Sequence, residues 1–377
     1  MITDRVHRVV RRRDMTAAWR HVDLVLVSCV GITSMFGALM VYSATRNKAA
    51  DIPFVDKHVI FLTIGLAAMV VCAVVDYMRL RDFAPVLYGI GVAMLTAVLI
   101  PGLGSVHKGI RAWFDIGPFQ IQPAEIAKLV VILGVAGYLG TAKRGVGFRE
   151  MVVALAMFAV PMGLIMLQPD LGTNLVFVVI AVGMLIAAGV PARYLVALGL
   201  VSIVAVVGIL RSDTLDNYQR ERLTSFASPD AASAGAVYNT KQSQTAISLG
   251  GLTGTGYLRG QYTKGGSVPE QQTDFIFTVP GEELGFLGSS VLLALLAGIV
   301  WRVWRTAQMA RDQVGSLICV GVLCMFAFHI FENVGMNLGI MPVTGIPLPF
   351  VSYGGSATIT AFAACGLVLN VHMRRFN

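Results

Sequence analysis

Few ionisable residues lie in or beside the apolar stretches of this chain. Among them, Asp274 has the position that most favours a chemical role. It lies shortly before the apolar run 285–304, with Glu282 and Glu283 in between. A carboxylate at such a boundary can serve as a general base or bind a divalent cation. The same position also suits a residue that caps the following helix. Asp274 is therefore a candidate catalytic residue, and capping is the competing interpretation.

Glu125 and Lys128 form a second group at the start of another apolar run. Their i,i+3 spacing puts both side chains on one face of a helix. They either form an ion pair that locks helix packing or line a cavity for an anionic group. Asp170 is a third candidate, in a tight connection where it either caps the next helix or takes part in the site.

The fourth group is a polar stripe inside an apolar run. His329 and Glu332 are again spaced i,i+3, and Asn333 and Asn337 extend the same face. The stripe is predicted to face protein or water, either as a satisfied contact between helices or as part of a site. No third ligand follows at a zinc-like spacing, so no metal site is predicted here.

The elements that position these groups are membrane helices. The 377 residues are 56% hydrophobic and only 13% charged, with a mean hydropathy of +0.72. A soluble domain carries about 25% charged residues, so most of this chain must face lipid. The net charge of +8 occurs in short runs between apolar stretches, which favours a membrane protein and excludes a nucleic-acid-binding face. The five cysteines fall in apolar segments and are predicted to be packing residues.

The sequence predicts an all-α integral membrane protein with ten transmembrane helices, because ten runs approach the roughly 20 apolar residues that a span needs. Segments between the helices that carry arginine alternate with segments poorer in basic residues, so both termini are predicted to be cytoplasmic. Residues 1–22 form a basic cytoplasmic tail, 23–373 the membrane domain and 374–377 the cytoplasmic C-terminus. The ten runs are centred near Ile32, Leu66, Val92, Ile132, Met157, Ile180, Val201, Ala294, Cys324 and Phe362.

Two segments depart from this helical pattern. Residues 211–273 form one large extracytoplasmic loop, and its many apolar residues predict that it folds back onto the outer membrane face. Residues 342–356 contain three prolines and three glycines, which excludes a regular helix. Irregular backbone at membrane depth persists only against protein or a wet cavity, so a re-entrant or partly buried segment is expected.

Several blocks of the chain resemble motifs of the SEDS family of lipid-linked cell-wall glycosyltransferases. Asn333-Val-Gly-Met-Asn337 with the segment after it, and Gln-Thr-Asp274-Phe with its flanks, resemble two signatures of that family. The blocks follow in family order at 109–113, 122–128, 168–173, 269–277, 281–286, 333–337, 342–350 and 352–356. Residues 218–223, 238–243 and 342–345 resemble the RodA branch, which serves elongation and rod shape, more than the FtsW branch of division. Ala112 departs from the pattern, since many members have an arginine there.

The resemblance implies a peptidoglycan glycosyltransferase of the bacterial inner membrane that polymerises lipid II with inversion and releases undecaprenyl diphosphate. Asp274 matches the family's catalytic aspartate, as the base or as a ligand of a divalent cation, Mg²⁺ or Mn²⁺. The implied partner is a class B penicillin-binding protein, a transpeptidase, in addition to lipid II and membrane lipids. The substrate-binding candidates are Arg111, Trp113, Glu125, Lys128, Arg220 and Lys241.

Three other functions compete with polymerisation. A lipid II flippase would depend more on buried pairs such as Glu125 and Lys128 than on Asp274. A secondary transporter would show inverted repeats and helices broken at mid-membrane, and the sequence has no clear repeat. A scaffold for the transpeptidase would need no particular carboxylate.

Overall fold

The computed structural model describes residues 21–48, 53–107, 110–117, 119–142, 145–211 and 234–376. The described chain is mostly helical. The helices are α1 Leu24–Thr45, α2 Phe54–Val74, α3 Tyr77–Ala97, α4 Pro123–Gly140, α5 Phe148–Met166, α6 Leu171–Ala187, α7 Ala192–Arg211, α8 Ala234–Gly250, α9 Gln261–Gly265, α10 Thr278–Glu283, α11 Gly285–Gln308, α12 Gln313–Leu338 and α13 Gly355–Met373.

Eight of the described helices are long and apolar enough to cross a membrane, namely α1 to α5 and α11 to α13. Two further apolar stretches are shorter. They are α6, Leu171–Ala187, and the part Ala192–Ile203 of α7. The ten predicted runs coincide with these ten elements. The predicted basic tail lies almost wholly outside the described residues.

The connection between α3 and α4 differs from the all-α prediction, because it forms a small sheet. The strands β1 Ser105–His107, β2 Ile110–Ile116 and β3 Phe119–Ile121 pair antiparallel in the order β1-β2-β3. Gly117, with φ of 60°, makes the turn between β2 and β3. The ladder pairs backbone groups that the connection would otherwise leave without partners. Strands β1 and β3 have only three residues each, too few for period-two alternation to be recognised in a sequence.

The predicted large loop 211–273 is substantially helical in its described part, 234–273. Helix α8 packs against α10, α11 and α12, and α9 packs against α1 and α10. The buried Ala246, together with Val268 and Phe275, forms a small apolar cluster beneath these helices. The segment therefore packs onto the helical bundle.

Helices α4 and α13 form the centre of the bundle and are buried along most of their length. Helix α13 packs against α2 and α4, and α4 packs against α3, α5 and α12. A helix that is apolar on all sides is stable only when other helices surround it. The polar side chains of α4 are consequently enclosed by protein.

The two ends of the bundle differ in structure. The "terminal end" is where α1 begins and α13 ends, and the "loop end" is the opposite one, with the sheet, α8 to α10 and residues 342–354. At the terminal end, Asp23 caps α1 and forms an ion pair with Arg302 of α11, at 2.6 Å between Oδ2 and Nη2.

Asn370 of α13 and Arg374, the residue just after α13, close the last turn of α2 at the terminal end. The Asn370 amide nitrogen donates to the carbonyls of Cys72, at 2.6 Å, and of Val75. The Arg374 guanidinium donates to the carbonyls of Ala73, at 3.1 Å, and Val74, at 2.6 Å. The last carbonyls of a helix have no partner within the helix, and here the neighbouring helix supplies the donors.

We expect Asn370→Ala to lower the thermal unfolding midpoint of the purified protein in detergent. Each buried carbonyl left without a donor costs about 1–3 kcal/mol, and this variant affects two. Arg79→Ala, at an exposed arginine of the same end, is the matched control and should leave the midpoint unchanged. Equal midpoints for Asn370→Ala and wild type would contradict a stabilising role for these bonds.

Candidate active site

Asp274 lies at the loop end, in the turn-rich segment between α9 and α10. Its side chain is half-buried, and its backbone N–H donates to the carbonyl of Glu270 at 3.1 Å. Its carbonyl accepts two hydrogen bonds from α12, from Asn333 Nδ2 at 2.9 Å and from Asn337 Nδ2 at 3.2 Å. Helix α10 has Phe277 at its N-cap, so Asp274 does not occupy the capping position.

The irregular segment 342–354 passes directly beside the Asp274 carboxylate. It contains no regular helix until α13 begins at Gly355, as the prolines predicted. Gly345 adopts φ of +78°, and a Cβ at this position would lie 3.4 Å from Asp274 Oδ2. Glycine permits this positive φ without strain, so the backbone reaches the carboxylate in a conformation that other residues adopt rarely.

Side chains of α12 and of the segment itself hydrogen-bond the segment. Asn333 Nδ2 donates to the carbonyl of Ile346 at 2.8 Å, and the hydroxyl of Ser352 accepts from the N–H of Leu348 at 2.8 Å. These two bonds satisfy backbone groups of the irregular segment, as burial at this depth requires. The side chain of Thr344 is held as well, because its Oγ1 donates to Glu332 Oε1 at 2.8 Å.

The same segment is joined to the chain around Asp274. Ser352 Oγ donates to the carbonyl of Thr273 at 2.7 Å, and the N–H of Tyr353 donates to the carbonyl of Gln272 at 2.8 Å. Residues 270–277, residues 342–354 and the polar face of α12 therefore form one hydrogen-bonded unit with Asp274 in it.

Glu125 and Lys128 form an ion pair inside the bundle. The distance from Lys128 Nζ to Glu125 Oε1 is 2.7 Å, and the two side chains are 1% and 5% exposed for lysine and glutamate. Lys128 Nζ also lies 3.1 Å from Nε2 of His329 on α12. The structure thus shows the ion pair that the spacing allowed, and the contact of Lys128 with His329 connects α4 to the polar stripe. Substrate binding by either residue stays a prediction.

The remaining predicted substrate-binding residues lie in different places. Arg111 and Trp113 are half-buried on β2, and Arg111 Nη1 lies 3.4 Å from the carbonyl of Leu99. Lys241 is exposed on α8, and Arg220 lies outside the described residues. Arg111, Trp113 and Lys241 are not among the residues that hydrogen-bond the Asp274 backbone.

The structure shows a structural role for Asp170. Its Oδ1 accepts from the N–H of Thr173 at 2.9 Å and its Oδ2 from the Thr173 hydroxyl at 2.8 Å, so it caps α6. Gln122 Nε2 also donates to Asp170, at 3.3 Å, and ties the start of α4 to α6. Next to it, Gly172 packs against the carbonyl of Thr344. The 168–173 block therefore supports the irregular segment from the side.

Glu282 and Glu283 are both fully buried and serve the architecture around Asp274. Glu282 accepts from the N–H groups of Tyr262 and Thr263, at 2.8 and 2.9 Å, which are at the start of α9. Glu283 accepts from the hydroxyl of Ser43 at 2.7 Å and links α10 to α1. Carboxylates at the first turn of a helix satisfy its unpaired N–H groups.

Lys48 is a residue of this region that sequence reasoning missed. Its Nζ donates to Gln272 Oε1 at 2.6 Å, so it reaches the segment just before Asp274. Burial lowers the pKa of Lys48, and the nearby Glu270 carboxylate acts in the opposite direction. In the sequence it is one lysine in a short basic connection, and no spacing or motif distinguishes it.

Known proteins match this chain over nearly its whole length. A family model described as "Cell cycle protein", for FtsW, RodA and SpoVE, matches residues 23–377. The chain is similar to stage V sporulation protein E of Bacillus subtilis, at 38% identity over 95% of this chain and 98% of that protein. It is 34% identical to peptidoglycan glycosyltransferase MrdB of Escherichia coli over 94% of each chain. It is 33% identical to the probable peptidoglycan glycosyltransferase FtsW of Geobacter metallireducens over 93% of this chain and 95% of that one.

Solved structures show the same fold. A chain of a peptidoglycan synthase complex, described as coordinating polymerization and crosslinking, superposes with a TM-score of 0.80 at 31% identity, covering 95% of this chain and all of that one. The rod shape determining protein RodA of Thermus thermophilus superposes at 0.70 with 30% identity, covering 95% of this chain and 99% of that one. The molecule is a multi-pass protein of the bacterial cytoplasmic membrane. It belongs to the FtsW, RodA and SpoVE family, the SEDS proteins.

The Lys128→Met variant should be strongly destabilised, because it leaves the buried Glu125 carboxylate without its cation. Breaking a buried pair in this way costs about 3–5 kcal/mol, whereas replacing both charges by apolar residues of similar volume is close to neutral. The double variant Glu125→Met, Lys128→Met should therefore recover most of the loss in thermal unfolding midpoint. A single variant as stable as wild type would show that the pair does not stabilise the fold.

Proposed function

We propose that this chain is a peptidoglycan glycosyltransferase that polymerises lipid II. The sugar hydroxyl of one lipid II attacks the anomeric carbon of a lipid-linked glycan, the configuration inverts, and undecaprenyl diphosphate leaves. The observation that carries the proposal is the Asp274 carboxylate, whose backbone is fixed by Asn333 and Asn337 and whose Oδ2 faces Gly345. Relatives at 33–34% identity are named peptidoglycan glycosyltransferases, which supports it.

Asp274 is the proposed general base. Direct displacement at an anomeric carbon requires removal of the proton from the attacking hydroxyl, and a positioned carboxylate performs this transfer. The leaving group is already a diphosphate, so a strong general acid is unnecessary. The two-carboxylate arrangement of glycoside hydrolases is therefore not required.

A divalent cation, Mg²⁺ or Mn²⁺, is the proposed cofactor. Among the described residues, no group of three or more histidine, cysteine, aspartate or glutamate side chains could hold a metal ion. Mg²⁺ is often bound by one or two carboxylates together with substrate phosphates, and Asp274 fits this mode. A bound cation would stabilise negative charge on the departing diphosphate. The proposal includes two roles for Asp274, as a ligand of this cation or as the base that deprotonates the attacking hydroxyl.

Cationic side chains at the loop end are the proposed contacts for the diphosphate and headgroup. Arg111 and Lys241 can donate to phosphate oxygens, and the Trp113 indole, on the same strand as Arg111, adds an apolar surface. Arg220 has the same proposed role on sequence grounds alone. Lys128 is buried and paired with Glu125. Its proposed contribution to binding is therefore the electrostatic effect of its positive charge and its contact with His329 of α12.

The proposed topology has ten spans and both termini in the cytoplasm. Its support is the alternation of arginine-bearing segments, which puts the terminal end inside and the loop end outside. Asp274 then faces the extracytoplasmic side, where lipid II is polymerised. The proposed partner is a class B penicillin-binding protein, since the similar synthase complex is described as coupling polymerization to crosslinking.

The proposed cellular role is elongation of rod-shaped cells. Residues 218–223, 238–243 and 342–345 resemble the RodA branch, and RodA of T. thermophilus shares the fold. Identities to relatives of the sporulation, elongation and division kinds span only 33–38%, so they do not separate the branches.

Lipid II flipping is the alternative function. The enclosed Glu125–Lys128 pair within α4 is the observation that favours it. A flippase would need this pair more than it needs Asp274.

Asp274→Asn should abolish glycan polymer in a gel assay with lipid II, a divalent cation and the cognate transpeptidase, while the protein remains folded. The amide keeps the shape of the side chain but cannot accept the hydroxyl proton. Asp56→Asn, at an exposed carboxylate in the first turn of α2, is the control and should polymerise normally. Full activity of Asp274→Asn would remove this residue from the mechanism, and translocation of lipid II in vesicles would then test the flippase.

Chelation should stop polymerisation by wild-type protein, and added Mg²⁺ or Mn²⁺ should restore it. The thermal unfolding midpoint of the substrate-free protein should not change with the chelator, because the proposed cation needs substrate phosphates as ligands. A chelator-dependent loss of midpoint would instead reveal a metal site formed by the protein alone. Polymerisation that continues at full rate would exclude the cofactor.

A further inference from the structure

Ser352 is buried in a tight turn near the end of the irregular segment, at 3% exposure. Two hydrogen bonds with Leu348 close this turn. The N–H of Ser352 donates to the Leu348 carbonyl at 3.0 Å, and the N–H of Leu348 donates to Ser352 Oγ at 2.8 Å. A Cβ on Gly37 of α1 would lie 2.6 Å from both the Phe350 carbonyl oxygen and Val351 Cα, so the turn packs directly on the α1 backbone. The position of the Ser352 side chain is therefore fixed by its own turn and by α1.

The partners of the Ser352 hydroxyl determine where its proton points. A serine hydroxyl has one donor and two acceptor lone pairs. The N–H of Leu348 occupies one lone pair, and the Thr273 carbonyl, 2.7 Å from Oγ, can only accept. The hydroxyl proton is therefore donated to the Thr273 carbonyl. Through this bond the turn holds the residue that directly precedes Asp274.

The Thr273 carbonyl belongs to the peptide plane that precedes Asp274. Because a peptide group is planar, this carbonyl and the N–H of Asp274 rotate together. The Asp274 N–H donates to the carbonyl of Glu270 at 3.1 Å. The plane is thus held at one edge by Ser352 and at the other by Glu270.

The peptide plane that follows Asp274 is held in the same way. Its carbonyl accepts from Asn333 at 2.9 Å and from Asn337 at 3.2 Å. Its N–H, that of Phe275, donates to the Glu270 carbonyl at 3.3 Å. Only two soft dihedrals relate the two planes that flank a residue. Holding both planes therefore fixes the direction in which the Asp274 side chain leaves the backbone.

We propose that Ser352 is a positioning residue for Asp274. Its hydroxyl holds the peptide plane before the candidate base, as Asn333 and Asn337 hold the plane after it. Without the hydroxyl, the first plane is free at one edge and the carboxylate takes a wider range of directions relative to Gly345. The inference rests on the proposed function only for its effect on activity, because the hold on the plane is a structural statement.

Two serine-to-alanine variants separate this role from the general effect of losing a bridging hydroxyl. Ser352→Ala removes both side-chain hydrogen bonds described above. Ser356 makes a bridge of the same kind at the loop end. Its Oγ accepts from the N–H of Gln122 at 2.8 Å and donates to the carbonyl of Gln120 at 3.3 Å. Ser356→Ala therefore removes a similar bridge that does not include residues 270–277.

Both variants are compared with wild type in lipid II polymerisation by the full chain with its transpeptidase, and in hydrogen–deuterium exchange of the peptide covering 270–277. We expect Ser352→Ala to lose about tenfold or more in kcat with little change in KM, because small misplacements of a reacting group are costly. Its 270–277 amides should exchange faster than those of wild type. Ser356→Ala should keep the kcat and the 270–277 exchange of wild type.

Wild-type exchange of 270–277 in Ser352→Ala would refute the hold on the plane, whatever the activity. Faster exchange with wild-type kcat, or an equal loss of kcat in Ser356→Ala, would refute the positioning role. If Ser352→Ala does not fold, Ser352→Cys takes its place with the same expectations, since a thiol fills similar space but is a weak donor. If wild type makes no polymer, the proposed function fails, and the exchange data still decide whether Ser352 holds the plane.

Discussion

The structure depends on how the backbone of residues 342–354 is hydrogen-bonded inside a membrane protein. Irregular chain at this depth has no water to satisfy it, so every buried polar group needs a partner from protein. Asn333 of α12 donates to the backbone of the segment, Glu332 accepts from the Thr344 hydroxyl, and Ser352 adds a local acceptor. Without these bonds, the buried polar groups that they satisfy would lose their partners at a cost in free energy.

Bonds from α12 also join polar residues of the loop end to the candidate base. Asn333 binds the carbonyls of both Ile346 and Asp274, so one carboxamide joins the irregular segment to the candidate base. Lys48 approaches from α1 and Glu282 organises α9 close by. A reacting carboxylate must be held by its surroundings to be effective, and here each supporting element comes from a different part of the chain.

Charged side chains of the bundle have two kinds of role besides catalysis. Asp170, Glu282 and Glu283 satisfy backbone or hydroxyl donors and shape the scaffold. Glu125 and Lys128 neutralise each other within α4 and reach α12 through His329. Asp274 is held differently, because its backbone carbonyl receives two amides of α12.

The sequence by itself determined the membrane class, the apolar runs that became helices, the irregular character of 342–354 and Asp274 as the candidate base. Each follows from composition, run length, proline or motif, which are local properties of the chain. Capping by Asp170 and pairing of Glu125 with Lys128 were left open, because a spacing permits a contact without requiring it. The small sheet, the position of Lys48 and the contact of His329 with Lys128 were decided only by the tertiary structure. The two side-chain contacts join residues far apart in the chain, such as Lys48 with Gln272, and no local pattern encodes them.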